Sequence, residues 1–375
     1  MNRIKGLTTI GTTDILGLAT TTVFWFLLAT LIDPGEYGTI FYFLSIAGIV
    51  SYVAPLGTNY VNTVFSAKRI KLIGELNLIS VITTAIGSIL LLIVTQRFDI
   101  SLLVFGMVFY NLTIGKMLGE KKFNLYAITN LFQKSTTLIF GFIFFFLFGF
   151  ENILYALALT YLLHIIIFFK ELEIRKYNLS ELKLKSHFIL SNYSNNIVTM
   201  LSGQMDKLVI GILLGLTVLG NFSLAMQVIT AMMILPSIIT KYLITEDLYK
   251  IKNNDFKIKI TIFSIILTAL GIFLIPEIIP HILPKYLDVV EPIRIMSLAI
   301  LPATYSRIQI SKLLSQERGS IILGGSLVYV VILFVGIFSI GNSMGIIGLA
   351  ISLVLSQISQ VIAHSILNRK FPHND

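Results

Sequence analysis

Between Phe188 and Gly215 the sequence FILSNYSNNIVTMLSGQMDKLVIGILLG sets Asn192, Asn195, Asn196, Thr199, Ser202, Gln204, Asp206 and Lys207 into an otherwise apolar stretch. Carboxamides and hydroxyls bind by hydrogen bonding. A carboxylate can take up a proton or cation, or pair with a base that contacts an anionic ligand. The stretch is long enough to cross a bilayer as a helix, for which about 20 residues suffice. Asn192, Asn195, Thr199, Ser202 and Asp206 recur at steps of three and four, and so share one helical face. Such a stripe must face protein or a water-filled cavity, because lipid tails satisfy no hydrogen bond. Asp206 and Lys207 lie well inside the segment, at a depth where ionisable groups are costly and mark function. The helix is therefore expected to line a polar cavity. The plainer reading of Asp206 is a static ion pair with a Lys or Arg on a neighbouring helix. Lys207, about 100° further round, can equally face the interior of its own bundle.

Four more ionisable groups fall in apolar segments. Asp14 sits among Thr8, Gly11, Thr12 and Thr13, where it can line the mouth of a cavity or simply pair locally. Arg307 lies beside Thr304, Ser311 and Lys312. Its planar guanidinium suits two-pronged contacts to phosphate, although a position near the end of a span also lets it reach the headgroups. Lys134 follows the polar run NLYAITNLFQ and is interfacial or functional. His164, on an apolar face, reads as packed or hydrogen-bonded rather than as a ligand.

This chemistry is binding rather than bond-breaking. There is no cysteine, so no disulfide, thiolate metal site or thiol nucleophile is available. No Walker A loop, HExxH or clustered set of metal ligands appears. The largest expected external connector, around 277–291, offers only Glu277, His281, Asp288 and Glu291. No enzyme is expected, and no cofactor beyond a sodium ion or proton for coupling.

The elements that position these residues follow from composition. Of 375 residues, 55% are hydrophobic and 13% charged, against roughly 25% charged in a soluble domain; mean hydropathy is +0.88. Apolar segments recur at 7–31, 38–65, 77–95, 100–117, 125–148, 152–169, 188–214, 222–244, 260–276, 290–313, 320–340 and 345–367. These predict about twelve transmembrane helices and an all-α polytopic membrane protein. Of the 28 Lys and Arg residues, 22 fall at the termini and in one alternate set of connectors. Such asymmetry places both termini and the basic connectors in the cytoplasm. It also accounts for the net charge of +9 without nucleic acid. The longest basic connector, 170–185, divides the chain into 1–185 and 186–375. With an even number of spans in each, the two lobes would be parallel repeats. Glu36-Tyr37-Gly38 opens a span containing Pro55, and Gly220-Asn221-Phe222 opens one containing Pro236, at similar spacing.

The chain resembles the polysaccharide-biosynthesis flippases (the Wzx type) of the multidrug/oligosaccharidyl-lipid/polysaccharide exporter superfamily. The resemblance lies in LIDPGEYGTIFYF, DKLVIGILLGLTVLGNFSLA, LPKYLDVVEPIRIMSLAILP and GNSMGIIGLAISLVLSQ. It implies a MATE-like arrangement of two six-helix lobes around a central cavity that opens alternately to each side of the plasma membrane. The implied cargo is a polyprenyl-(pyro)phosphate-linked oligosaccharide, flipped to the outer leaflet for surface polysaccharide or glycan assembly. A glycan polymerase or glycosyltransferases are the implied partners, besides membrane lipids. Asn, Gln and Ser would bind sugar hydroxyls, and the cations would attract the phosphate. The related alternative is a sodium- or proton-coupled multidrug and toxin extrusion antiporter for organic cations. That carrier calls for more acids than bases at depth, whereas Asp14 and Asp206 here face Lys134, Lys207 and Arg307. A membrane-embedded glycan polymerase or glycosyltransferase calls for a long outer loop bearing acids or His, and the loops here are short.

Overall fold

A computed structural model describes residues 3–70, 72–171, 179–237, 243, 247 and 254–371. The described residues are almost entirely helical. The helices are α1 (Arg3–Leu31), α2 (Pro34–Val53), α3 (Thr58–Ala67), α4 (Ile73–Thr95), α5 (Phe98–Gly119), α6 (Phe123–Phe148), α7 (Ile153–Leu162), α8 (Ile165–Glu171) and α9 (Leu179–Met200). They continue as α10 (Asp206–Leu214), α11 (Leu216–Met232), α12 (Asn254–Phe273), α13 (Ile275–Ile282), α14 (Val290–Ser297), α15 (Ile300–Ser315), α16 (Gly319–Gly336) and α17 (Asn342–Lys370). Long apolar runs become helices because only a helix satisfies every backbone donor and acceptor within its own segment in lipid. Nine stretches among the described residues are long and apolar enough to cross a membrane. Large apolar side chains stand exposed along them, including Val94 at 79%, Phe273 at 73% and Phe146 at 70%. Exposed apolar area on this scale marks a lipid-facing surface, and the protein is a multi-pass membrane protein.

Every expected span is helical where it is described, but several are interrupted. The span expected at 38–65 breaks into α2 and α3. Pro55 lacks an amide hydrogen, and Leu56 and Gly57 adopt positive φ (51° and 83°) before α3 begins. The segment 290–313 is likewise two helices, and Pro302 sits in the first turn of α15, where a missing donor costs nothing. The turn expected at 341–345 is a kink at Gly345, φ 58° and ψ −135°, and α16 and α17 pack along one another on either side of it. Of the basic connectors, residues 172–178 of 170–185 and residues 245–246 and 248–253 of 245–259 fall outside the described residues.

The chain forms two compact units, one of residues 1–24 with 42–205 and one of 25–41 with 206–375. Helix α9 runs without a break across the expected 185/186 division, and the units part at its far end instead. The first unit is built around α5, whose glycines admit close neighbours. A Cβ at Gly106 would press on Tyr161, and one at Gly119 would press on Thr63 and Ser66. Val108, Phe109, Leu112 and Phe168 form one core cluster, and Val61, Phe65, Leu72 and Leu76 another.

One end of this unit carries a buried ion pair. The Asp99 carboxylate is 1% exposed and receives Arg97 Nη2 at 2.7 Å. The guanidinium also lies 4.3 Å from the centre of the Phe43 ring. Arg97→Ala strands the carboxylate and is expected to cost about 1–3 kcal/mol, read as a lower Tm of the detergent-solubilised protein. Adding Asp99→Asn should restore part of the loss, since it removes the stranded charge. An Arg97→Ala protein as stable as wild type would show that the pair contributes nothing.

The second unit includes the hairpin Trp25–Phe41 from the front of the chain. Trp25, Tyr37, Phe41 and Tyr286 form an aromatic cluster with ring centres 4.7–6.0 Å apart. The Tyr286 hydroxyl donates to the Ile32 carbonyl at 3.2 Å, and Lys285 pairs with Asp33 at 2.9 Å. Burial, and then the carboxylates of Asp33 and Glu36, push the Tyr286 phenol up, so it stays a donor at any physiological pH. Helices α2 and α11 meet backbone to backbone. A Cβ at Gly38 would strike the Leu216 carbonyl, and one at Gly220 would strike that of Pro34. The two glycines that open equivalent spans in the repeat reading are thus each other's contact, and each faces the carbonyl four residues before the other.

Candidate functional site

In the first unit α6 presents Tyr126, Asn130 and Lys134, four residues apart, on one face. Tyr110 of α5 donates to Asn130 Oδ1 at 3.2 Å, Asn130 Nδ2 donates to the Tyr126 oxygen at 3.2 Å, and Tyr126 donates to Asp14 Oδ1. The result is a row of donors aimed at one carboxylate, each polarising the next. The sequence leaves Asp14 open between a cavity mouth and a local pair; the Tyr126 phenol is one partner of its carboxylate. Lys134 lies one turn beyond Asn130 with its stem against α1, where a Cβ at Gly17 would sit 3.4 Å from Lys134 Cγ. It makes no hydrogen bond or ion pair among the described residues. His164 is buried, with Nδ1 3.1 Å from the Thr160 carbonyl and Nε2 3.3 Å from that of Thr129. It is a packed, hydrogen-bonded histidine, as its sequence context suggests.

The stretch Asn192–Gln204 belongs to the same unit, but it does not continue as a single regular stripe to Asp206. Helix α9 is α-helical to Met200, and Leu201–Met205 forms a π-helical turn. The three-and-four spacing assumes an unbroken 3.6-residue repeat, and the wider turn breaks that phase. Asn192 Nδ2 bonds back to the Phe188 carbonyl at 2.8 Å, and the Ser202 hydroxyl bonds back to Val198 and Thr199 at 3.1 Å. Asn196 is 2% exposed, and its Nδ2 has no hydrogen-bond partner among the described residues. Thr199 is exposed, while half-buried Gln204 packs over Gly48 of α2. The side chain of Asn195 lies outside the described residues.

In the second unit Asp206 opens α10 and is 4% exposed. Its ion-pair partner is Lys207 at 3.6 Å, on its own helix rather than a neighbouring one. That separation is too long for a hydrogen bond, and Asp206 Oδ1 accepts none among the described residues. Tyr329 lies within electrostatic reach of the carboxylate, close to Ser356 and Gln357. Arg307, half-buried on α15, donates from Nη1 to the Ser237 hydroxyl. It has no carboxylate partner among the described residues.

No family model matches the sequence, and no curated protein matches it. Solved structures do. The lipid II flippase MurJ in its inward closed conformation matches with a TM-score of 0.71 at 15% identity, over 98% of this chain and 88% of that one. A multidrug resistance MATE family transporter, inward-facing, matches at 0.67 and 14%, over 96% and 94%. A MOP superfamily transporter from Pyrococcus furiosus, whose reversed binding-pocket polarity suggests a different function, matches at 0.66 and 12%, over 98% and 95%. The fold is that of the MOP-superfamily transporters.

Within the MOP-superfamily fold, the deep charges sort unevenly. Both acids are engaged, Asp14 by a phenol and Asp206 by an ammonium. Lys134 and Arg307 have no acid opposite them among the described residues. Such groups can bind anions and hydrogen-bonding ligands, and nothing in them supplies a nucleophile with its base. Tyr126 and Asn130 escaped the sequence reading although both stand in NLYAITN, eight and four residues before Lys134. Tyr110, Ser237 and Tyr329 carry no local signal; only tertiary contact brings them to these sites.

Proposed function

We propose that this protein is a flippase carrying a polyprenyl-(pyro)phosphate-linked oligosaccharide from the cytoplasmic to the outer leaflet by alternating access. One observation carries the reading: Asp14 and Asp206 are engaged, whereas the cations Lys134 and Arg307 are not matched by acids among the described residues. A half-buried cation without a counter-charge favours a visiting anion, and a lipid-linked phosphate is such an anion. Carboxamides and hydroxyls from Asn192 to Gln204 suit the sugar part, while the polyprenyl tail stays in the bilayer. The MurJ neighbour is a lipid II flippase, and the Pyrococcus neighbour shows that pocket polarity differs among transporters of this fold.

The test is reconstitution in defined liposomes with a lipid-linked oligosaccharide, scoring its appearance in the opposite leaflet. Wild type is expected to flip it, and Asp206→Asn to flip it more slowly because Lys207, with less counter-charge beside it, holds the phosphate longer. Sodium- or proton-driven export of a cationic dye, with no movement of any lipid-linked sugar, would instead assign the chain to the multidrug and toxin extrusion type.

A further inference from the structure

Away from these residues, the exposed face of α15 forms a ridge of Tyr305, Gln309 and Lys312 with a hollow on each side. The hollow against α12 is walled mainly by Ile258, Ile262 and Ile308. Ile258 is 57% and Ile262 52% exposed, at the first turns of a membrane-length helix, so this wall meets lipid. The hollow against the last turns of α17 is the more polar of the two and includes Ser365, Asn368 and Arg369. Lys312 borders both.

The charges here are not equivalent. Lys257, at the edge of the apolar hollow, is committed to Asp247 at 2.8 Å. Lys312 and Arg369 are exposed and have no acid or hydrogen-bond partner among the described residues. Gln309 Nε2 donates to the Ser365 hydroxyl at 2.8 Å, which leaves its buried Oε1 without a donor. Arg318 ties the end of α17 by donating to Asn368 Oδ1 and the Phe371 carbonyl, so this side of the polar hollow is braced.

We propose that this double hollow is a binding site for an anionic phospholipid with a glycerol headgroup. The phosphate sits between Lys312 and Arg369, and a headgroup hydroxyl supplies the donor that Gln309 Oε1 lacks. One acyl chain passes over Tyr305 into the isoleucine-walled hollow. The argument is charge complementarity along the groove. Two cations without an acid partner among the described residues stand at the basic end of the spans, where anionic headgroups collect, and apolar walls continue from them into the hydrocarbon. The site is independent of the cargo proposed above.

Native mass spectrometry of the full-length, detergent-solubilised protein tests it. Phosphatidylglycerol, phosphatidylcholine with the same acyl chains, and glycerol phosphate would each be titrated in. Phosphatidylglycerol is expected to bind about tenfold more tightly than phosphatidylcholine, and the Lys312→Gln/Arg369→Gln protein to lose that preference. Tyr305→Ala should weaken both lipids, and Lys370→Glu, a charge change outside the hollow, should leave binding unchanged. Equal affinity for the two lipids would overturn the proposal. So would an equal loss in Lys370→Glu, which would mean a diffuse basic surface. Binding of glycerol phosphate as tight as that of the lipid would reduce the site to a plain anion site and overturn the acyl-chain assignment. Unchanged Tm values of the lipid-free variants would show that the fold is kept; if Lys312→Gln/Arg369→Gln melts early, Lys312→Gln alone gives the same reading.

Discussion

Arg307→Ala is expected to lower the rate of lipid-linked oligosaccharide transport roughly ten- to hundredfold, the equivalent of one lost charge-assisted contact. Arg307 is half-buried on α15, and its guanidinium touches the neutral Ser237 hydroxyl rather than a carboxylate. No acid among the described residues offsets its charge for a visiting anion, whereas Lys207 has spent part of its field on Asp206. Arg307→Lys should fall between the two, because it keeps the charge but loses the planar fork that grips two phosphate oxygens. Ser237→Ala should cost much less, since it removes an orienting hydroxyl and no charge. The measurement is the initial flipping rate in proteoliposomes at matched protein density. If Arg307→Ala transports at the wild-type rate, the cationic-site assignment fails. If it loses stability as well, the Arg307→Lys rate decides, because a purely structural guanidinium would not tolerate an ammonium while sparing transport.

The spans were legible in the sequence because their signal is local. Length, hydropathy and the alternation of Lys and Arg each need only a window of neighbours. The places where reading failed needed information from elsewhere. Pro55 announces a possible break in a span, but whether the helix kinks or stops depends on Leu56 and Gly57 reaching positive φ, which packing decides. The stripe from Asn192 to Asp206 was drawn on an ideal 3.6-residue repeat, and the π-turn at Leu201–Met205 has no sequence mark that would have moved its last member. Asp14 was visible as a lone acid, whereas the Tyr126–Asn130–Tyr110 row that occupies it comes from helices more than 90 residues along the chain. Single polar residues at depth can be found by composition. Their partners are found by topology.

The contact between α2 and α11 yields the last expected result. In a chain with no native cysteine, Gly35→Cys combined with Thr217→Cys should crosslink under mild oxidation, stop transport, and release it on reduction. A Cβ at Gly35 would lie 3.5 Å from Thr217 Oγ1, the atom nearest the place a sulfur at 217 would take, so the two positions are side-chain neighbours. The two helices cannot slide to avoid it, because Gly38 and Gly220 each lie against a backbone carbonyl of the other helix, with no side chain between to yield. Alternating access requires that some tight helix contact open and close in each cycle. This one ties the hairpin from the front of the chain to α11 within the second unit, at the start of two equivalent spans, and the crosslink tests whether it takes that role. Its stabilisation comes from close backbone approach, the Asp33–Lys285 pair and the Tyr286 hydrogen bond to Ile32, all of which can part without leaving a charge buried. Each single-cysteine protein should transport normally under the same oxidant, which separates the crosslink from damage. Full crosslinking with undiminished transport would mean that α2 and α11 never separate, and the opening that lets cargo leave would have to form elsewhere in the molecule.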